Sequence, residues 1–150
     1  MRAVVQRVKR AEVTVDHTPV SSINKGFLIL LGIRIDDTLE DVLWLAKKIG
    51  SMRIMSDDYG LMNLSLKDVS GSALVVSQFT LHASTKKGNR PGFTEAARPE
   101  QAIPLYEMFK KILQEEGIED VQSGIFGAMM DISLINDGPV TIIIDSKNKE

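Results

Sequence analysis

Phe27-Leu28-Ile29-Leu30-Leu31-Gly32-Ile33 contains no polar side chain. A half-buried strand alternates apolar and polar residues, whereas a strand apolar at every position needs cover on both faces. Residues 27–33 are too few to span a bilayer, which takes ~20 residues. They therefore read as the central strand of a sheet packed on both sides. Residues 73–79 (Ala-Leu-Val-Val-Ser-Gln-Phe) have the same character and predict a second buried strand. Working outward, residues 3–8 and 11–15 read as two strands, the second alternating Val13 and Val15 against Glu12 and Thr14. Residues 132–135 and 140–144 look like a closing pair around Asn136-Asp137-Gly138-Pro139, because Asp-Gly between strand-like runs is a hairpin signal.

Two segments have helical spacing. Thr38 with Asp41 three residues later is a variant capping box. It opens a stripe of Leu39, Val42, Leu43, Ala46 and Ile49, which Gly50 ends. The second helix spans about 99–116, with Leu105, Met108, Phe109 and Ile112 as its stripe and Gly117 as its stop. Proline inside a helix costs ~3 kcal/mol, so Pro104 moves the expected regular start to near Ile103. Ser56-Asp57-Asp58-Tyr59-Gly60 signals a turn. Residues 82–97 form a long polar loop, of a length that is usually functional or mobile. The tail, residues 146–150, reads as frayed.

The chain has 150 residues, no cysteine, two histidines and a formal net charge of −2. That length predicts one domain, residues 1–150. Absent cysteine excludes disulfides, thiolate metal sites and a cysteine nucleophile. His17 and His82 are too few for a multi-histidine metal centre, so neither metal nor cofactor is expected. Charge is even along the chain: residues 1–75 carry 10 Lys+Arg and 9 Asp+Glu, and residues 76–150 carry 8 and 11. With a pI near 5.7 there is no global basic field for coating nucleic acid, although a local contact stays open. No signal-peptide pattern or membrane span is visible, so the expected location is the cytoplasm.

Common catalytic signatures are absent: no G-x-S-x-G elbow, Walker loop, G-x-G-x-x-G or H-E-x-x-H. Catalysis would have to rest on hydroxyls, amides, backbone groups, carboxylates or the substrate. Four segments are candidates. Ser77-Gln78-Phe79-Thr80-Leu81 ends a buried strand; by alternation Gln78 and Thr80 share one face, and Ser77 and Phe79 the other. These side chains could orient a carbonyl, or simply hydrogen-bond their own turn. Asn136-Asp137-Gly138-Pro139-Val140-Thr141 puts proline where a strand would start, removing a ladder donor; taken alone, the motif reads first as an ordinary tight turn. Gly124-Ile125-Phe126-Gly127-Ala128-Met129-Met130 suits an apolar pocket for a planar ring, or a core edge. Lys86, Lys87 and Arg90, flanked by Phe79 and Phe93, suit phosphates and unstacked bases, or a solvated loop. His82 reads as exposed or structural, since a general base needs a partner within reach.

Taken together these segments resemble the D-aminoacyl-tRNA deacylases of the bacterial and eukaryotic type. The resemblance runs from Met1-Arg2-Ala3-Val4-Val5-Gln6-Arg7-Val8 and Ala11-x-Val13-x-Val15 through Arg53-Ile54 and Met62-Asn63. It continues at Ser77-Gln78-Phe79-Thr80-Leu81 and Arg90-Pro91-x-Phe93, then Gly124-x-Phe126, Met130 and Asn136-Asp137-Gly138-Pro139-Val140-Thr141. It implies an α/β fold: a compact single domain of two packed β-sheets with flanking helices, assembled as a symmetric homodimer. It implies hydrolysis of the ester of D-aminoacyl-tRNA and glycyl-tRNA, a carboxylic ester hydrolase that spares L-aminoacyl-tRNA.

By position, the resemblance makes Gly138-Pro139 a Gly-cis-Pro element that enters the opposite subunit, where its carbonyl oxygens receive the substrate's α-ammonium. Arg7 would brace that element. Gln78, Phe79 and Thr80 would lie at the scissile carbonyl, with Ser77 beside them, and Phe126 and Met130 around the terminal adenine. Lys86, Lys87 and Arg90 would meet tRNA phosphates. An attacking water assisted by the terminal ribose 2′-hydroxyl suits this chain better than a Thr80 nucleophile, for which no adjacent base is evident. Two other classes stay open on the residues alone: a hydrolase of another small acyl ester, or a non-catalytic β-rich dimer that binds RNA ends. Activity on D-aminoacyl-tRNA against free D-amino-acid esters separates the first from the deacylase; loss of stereochemical discrimination in Pro139→Ala separates the second.

Overall fold

The computed structural model describes residues 1–149. Eight strands and two helices follow in order: β1 (Arg2–Val15), β2 (Thr18–Ile23), β3 (Gly26–Gly32), α1 (Leu39–Ser51), β4 (Met55–Ser56), β5 (Met62–Leu64), β6 (Ser72–Ser77), α2 (Pro99–Glu115), β7 (Val121–Ser123) and β8 (Asp131–Asp145). The main sheet is six-stranded and mixed, in the order β2-β1-β3-β6-β7, with β8 on the other edge of β1. The β1–β3 pair is antiparallel, whereas β3–β6 and β6–β7 are parallel. The two parallel crossovers contain α1 and α2. A ribbon of β4 and β5 stands apart, its turn held by Asp57, which accepts from the Tyr59 and Leu61 N–H groups.

The central strand is covered on both faces. Phe27, Ile29 and Leu31 pack with Ala73, Val75 and the inner faces of α1 and α2. Leu28 points the other way, into a second cluster with Leu74, Val76, Val8, Ala11, Val13 and Ile23. That second cover comes from the sheet itself, since β2 and the far half of β1 lie against β6. The resemblance implied two packed sheets. The described residues instead hold one continuous hydrogen-bonded sheet that folds over itself, besides the small ribbon. Close approach of β3 and β6 requires Gly26: a Cβ there would lie 1.9 Å from the Ser72 carbonyl oxygen.

Strand β1 was expected as two pieces, and so was β8. Each runs through, and they pair antiparallel almost end to end. The irregularity lies inside the pairing. Gln6 pairs with Thr141 and Val8 with Asn136, so Arg7 alone faces residues 137–140. Asp137-Gly138-Pro139 is therefore a bulge bowed out of a continuous strand, not a hairpin. Proline has no N–H for the ladder, and a bulge is where a sheet accommodates it. A second irregularity, between Val8 and Arg10, shifts the phase of β1: Ala3 and Val5 face the helices and Val8 the second core, as alternation requires, but Ala11 and Val13 face that second core too.

Helix α1 starts as expected, the Thr38 N–H donating to the Asp41 carboxylate at 2.8 Å. Gly50 stays inside it and is buried, tight against the Glu116 Cβ. Helix α2 begins at Pro99, earlier than Ile103, and carries Pro104 within it. Proline at the first helical position lacks only an N–H that has no intrahelical partner anyway. The amphipathic face of Ala102, Tyr106, Phe109, Ile112 and Leu113 then holds the helix through the break.

The tail is tied down rather than frayed, except that Glu150 lies outside the described residues. The buried Ser146 hydroxyl donates to Asp41 at 2.7 Å and accepts from the Met1 ammonium at 2.8 Å. That ammonium also pairs with Asp37, and Lys147 donates to Asp41 at 2.9 Å. Burial pushes the Asp41 carboxyl upward, but hydrogen bonds from Lys147, Ser146 and the Thr38 N–H outweigh it and hold the group well below the usual carboxylate range. A depressed folded-state value contributes stability above the unfolded value of about 3.9, and that contribution is lost as pH falls below it. The urea midpoint of the native chain is thus expected to drop between pH 5 and about pH 3. Asp41→Asn should start lower at pH 7 and fall less steeply over the same range; parallel curves would remove Asp41 from the account.

Candidate active site

Strand β6 stops at Ser77, and residues Phe79–His82 turn into one short 3-10 helix with Gln78 ahead of it. The alternation expected for residues 77–80 therefore ends at the point where it would matter. Instead, the turn brings the Gln78 side-chain amide onto Thr80, whose Oγ1 accepts its hydrogen bond. The backbone N–H groups of Phe79 and Thr80 open the turn and have no acceptor among the described residues, as first-turn donors usually do.

Beside this turn lies a cleft of about 610 Å³. Ser77, Gln78 and Phe79 form one wall; Phe126, Gly127, Ala128, Met129 and Met130 form another. Phe79 is 56% exposed, its ring steadied edge-on by Phe93 at a centroid distance of 5.1 Å. Phe126 leans edge-on against Tyr106 at 5.6 Å, and the Tyr106 hydroxyl donates to the Val75 carbonyl at 2.7 Å. The aromatic wall is thereby anchored to β6, the strand that delivers Ser77. Met130 can sit where it does because residue 124 is glycine: a Cβ there would come within 2.5 Å of its sulfur.

Other expected site residues fall outside this cleft. Thr80 lines a neighbouring recess with Arg2, Trp44 and Ile143. Lys86 lines a third, polar recess with Arg2, Arg34 and His82, while Lys87 and Arg90 line none of the three. Residues 82–97 are cinched where Ser84 and Gly92 exchange backbone hydrogen bonds of 2.8 and 2.9 Å. His82 is structural, as one of its two expected readings had it: it is buried, burial lowers its pKa, and its Nε2 has no partner.

Gly138 and Pro139 are exposed, and the peptide bond between them is cis. They line none of these recesses. Arg7, buried despite its charge, holds the bulge from beneath. Its Nε donates to the Asp137 carbonyl at 3.0 Å and lies 3.2 Å from that residue's carboxylate. Its Nη1 donates to the Ile54 carbonyl at 2.7 Å. Among the described residues no three His, Asp or Glu side chains are grouped as metal ligands, and no helix is long and apolar enough to cross a membrane.

Residues that the sequence did not single out complete the cleft: Ala96, Ala97, Arg98, Pro99 and Ala102. Their signal was Pro99, a first-position helix proline, which places the start of α2 at the cleft mouth.

A family model described as D-Tyr-tRNA(Tyr) deacylase matches residues 4–145. The chain belongs to this family. It is 60% identical over 150 residues to the D-aminoacyl-tRNA deacylase of Akkermansia muciniphila, covering all of both chains. It is 58% identical to that of Flavobacterium psychrophilum over the same full span. Among solved structures, one titled c-Myc DNA Unwinding Element Binding Protein is 41% identical, with a TM-score of 0.91 over 97% of this chain and 98% of the other. Another, titled as a probable eukaryotic D-amino acid tRNA deacylase, is 16% identical with a TM-score of 0.81, covering 95% and 97%, and shares the fold.

Proposed function

We propose that this chain hydrolyses the ester joining a D-amino acid, or glycine, to the 3′-terminal ribose of tRNA, and spares L-aminoacyl-tRNA. One observation carries the reading: in a chain of the deacylase family, a polar strand end and an aromatic wall meet in a single cleft. The terminal adenine packs against Phe126 and Met130. The ester carbonyl lies at the turn beyond Ser77, where the unused N–H groups of Phe79 and Thr80 receive the oxyanion. Removing one such donor typically costs ~2.7–4 kcal/mol of transition-state stabilisation. Gln78 orients the reacting groups. Water adds to the carbonyl, the bond to the ribose oxygen breaks, and free amino acid and tRNA leave.

Thr80 is a poor nucleophile here, because its only side-chain partner among the described residues is the amide of Gln78, which cannot take up a proton. The terminal 2′-hydroxyl assists the water instead.

Chirality is read by the Gly138 and Pro139 carbonyl oxygens, which accept the α-ammonium. With the ammonium and the ester both fixed, a D side chain points outward and an L side chain strikes the wall; glycine has nothing to strike. Because the bulge is exposed and lies outside its own chain's cleft, a second copy of the chain is the natural recipient, and the working unit is a symmetric homodimer. Arg7 keeps the bulge in shape. Lys86, Lys87 and Arg90, without ion partners among the described residues, meet tRNA phosphates. The substrate places the enzyme in the cytoplasm, with no membrane involved.

The test is paired hydrolysis of D- and L-aminoacyl forms of one tRNA. We expect the D form to be cleaved at least ~100-fold faster, a ratio that steric exclusion on this scale supplies. Equal rates would overturn the stereochemical reading, and cleavage of free D-amino-acid esters alone would replace the tRNA substrate with a small ester.

A further inference from the structure

Eighteen residues line the cleft beside the Gln78–Thr80 turn, and only one is charged. It is Arg98, the residue just before α2. All other lining groups are aliphatic, aromatic, thioether, amide, hydroxyl or glycine. Arg98 is also idle within the fold. Its neighbours in sequence are occupied: Glu95 pairs with Arg34 at 2.6 Å, and the Gln101 amide donates to the Ile35 carbonyl at 2.9 Å. The guanidinium itself makes no hydrogen bond, ion pair or ring contact among the described residues. An exposed, unpaired cation at the mouth of an apolar cleft is free to meet an anion that enters.

We infer that Arg98 is the phosphate anchor of the cleft, binding the phosphodiester on the 5′ side of the terminal nucleoside. This rests on the deacylase reading and extends it. A nucleoside seated against Phe126 and Met130 carries one anion at a fixed distance from its sugar, and nothing else lining the cleft could neutralise it. The planar guanidinium offers paired N–H donors that match two phosphate oxygens. The carboxylates on adjacent elements do not compete: Glu95 is held by Arg34, and no ion pair joins Glu100 to Arg98.

The assignment separates two substrates that share the ester and the adenosine. D-aminoacyl-tRNA has the phosphate; D-aminoacyl-adenosine lacks it. Wild type and Arg98→Ala are compared on both by kcat/KM. The tRNA-over-adenosine ratio is expected to fall about tenfold in Arg98→Ala, mostly through KM, a change in the range of one lost hydrogen bond to a charged group. Arg98→Lys should recover part of it, as a point charge without the fork. The log–log salt dependence of tRNA binding should become shallower by about 0.7, the value for one single-strand phosphate contact.

An unchanged ratio overturns the inference, even if both activities fall together, because a distorted cleft lowers both. An unchanged salt slope also overturns it. If wild type cleaves neither substrate, the deacylase reading itself falls and takes this inference with it; if wild type cleaves both and the ratio alone fails to move, only Arg98 is misassigned.

Discussion

On a D-aminoacyl-tRNA whose terminal ribose lacks its 2′-hydroxyl, turnover is expected to fall by at least ~100-fold, the lower range for losing a positioned proton-transfer group. Thr80→Ala on the normal substrate should keep most of its kcat. The contrast follows from what surrounds Thr80. Its Oγ1 accepts a hydrogen bond from the Gln78 amide, which holds the hydroxyl in place but offers no site for its proton. His82 is two residues further on, but its ring is buried, burial disfavours its charged form, and its free nitrogen is closed to solvent. With no evident base on the protein at Thr80, the proton has to be managed by the substrate. Single-turnover rates on ribo and deoxy substrates, at saturating enzyme, read the chemical step directly. Full activity on the deoxy substrate, or a large fall of the single-turnover rate in Thr80→Ala, would move the chemistry back onto the protein.

The second large effect concerns the sheet. Gly26→Ala is expected to cost more than ~3 kcal/mol and to leave little folded protein at 37 °C. Overpacking a core usually costs about 1–3 kcal/mol, because neighbouring side chains shift aside. Here the obstacle is a backbone carbonyl, that of Ser72, at 1.9 Å from the new Cβ. Gly26 and Ser72 are register partners at the start of the β3–β6 pair, so relief means opening the central ladder. Chemical denaturation should show a large fall in midpoint. A near-wild-type midpoint would mean the two strands separate there without cost. Gly60→Ala is a fair control, because a Cβ at Gly60 meets nothing within 4 Å; its positive φ of 80° predicts only a modest strain penalty.

What was legible in the sequence depended on how local each signal was. The two-sided burial of residues 27–33 was local and held. So was the start of α1, where Thr38 and Asp41 are neighbours. The joins failed. Lys9 and Arg10 are exposed at the bend of β1, and their charge resembled a break between strands. Asp137-Gly138 has the composition of a hairpin, but what sits there is decided by pairing with Arg7, 130 positions away. The tail lacked apolar residues, yet Ser146 is held by polar contacts with Met1 and Asp41, which no periodicity reveals. The site divides the same way. Residues 77–79 and 126–130 were found by type and position, and the structure brings them to one cleft. Arg98 was not found, because one arginine before a helix stands out only once everything around it is seen to be uncharged.

The pairing of β1 with β8 also has a temporal side. Residues 2–14 find their partners at residues 131–145, so the longest ladder of the sheet joins segments more than a hundred residues apart. Such contacts form late and slowly, because the loop between them must be closed before they repay its entropy. During synthesis, β1 can pair with β3 as soon as residue 32 is free, but its other edge stays bare until residue 145 has left the ribosome. Until then an open strand edge is available to any other nascent chain. Strand β8 is thus the one that closes the exposed edge, and a ribosome stalled before residue 131 holds a chain whose first strand is still sticky.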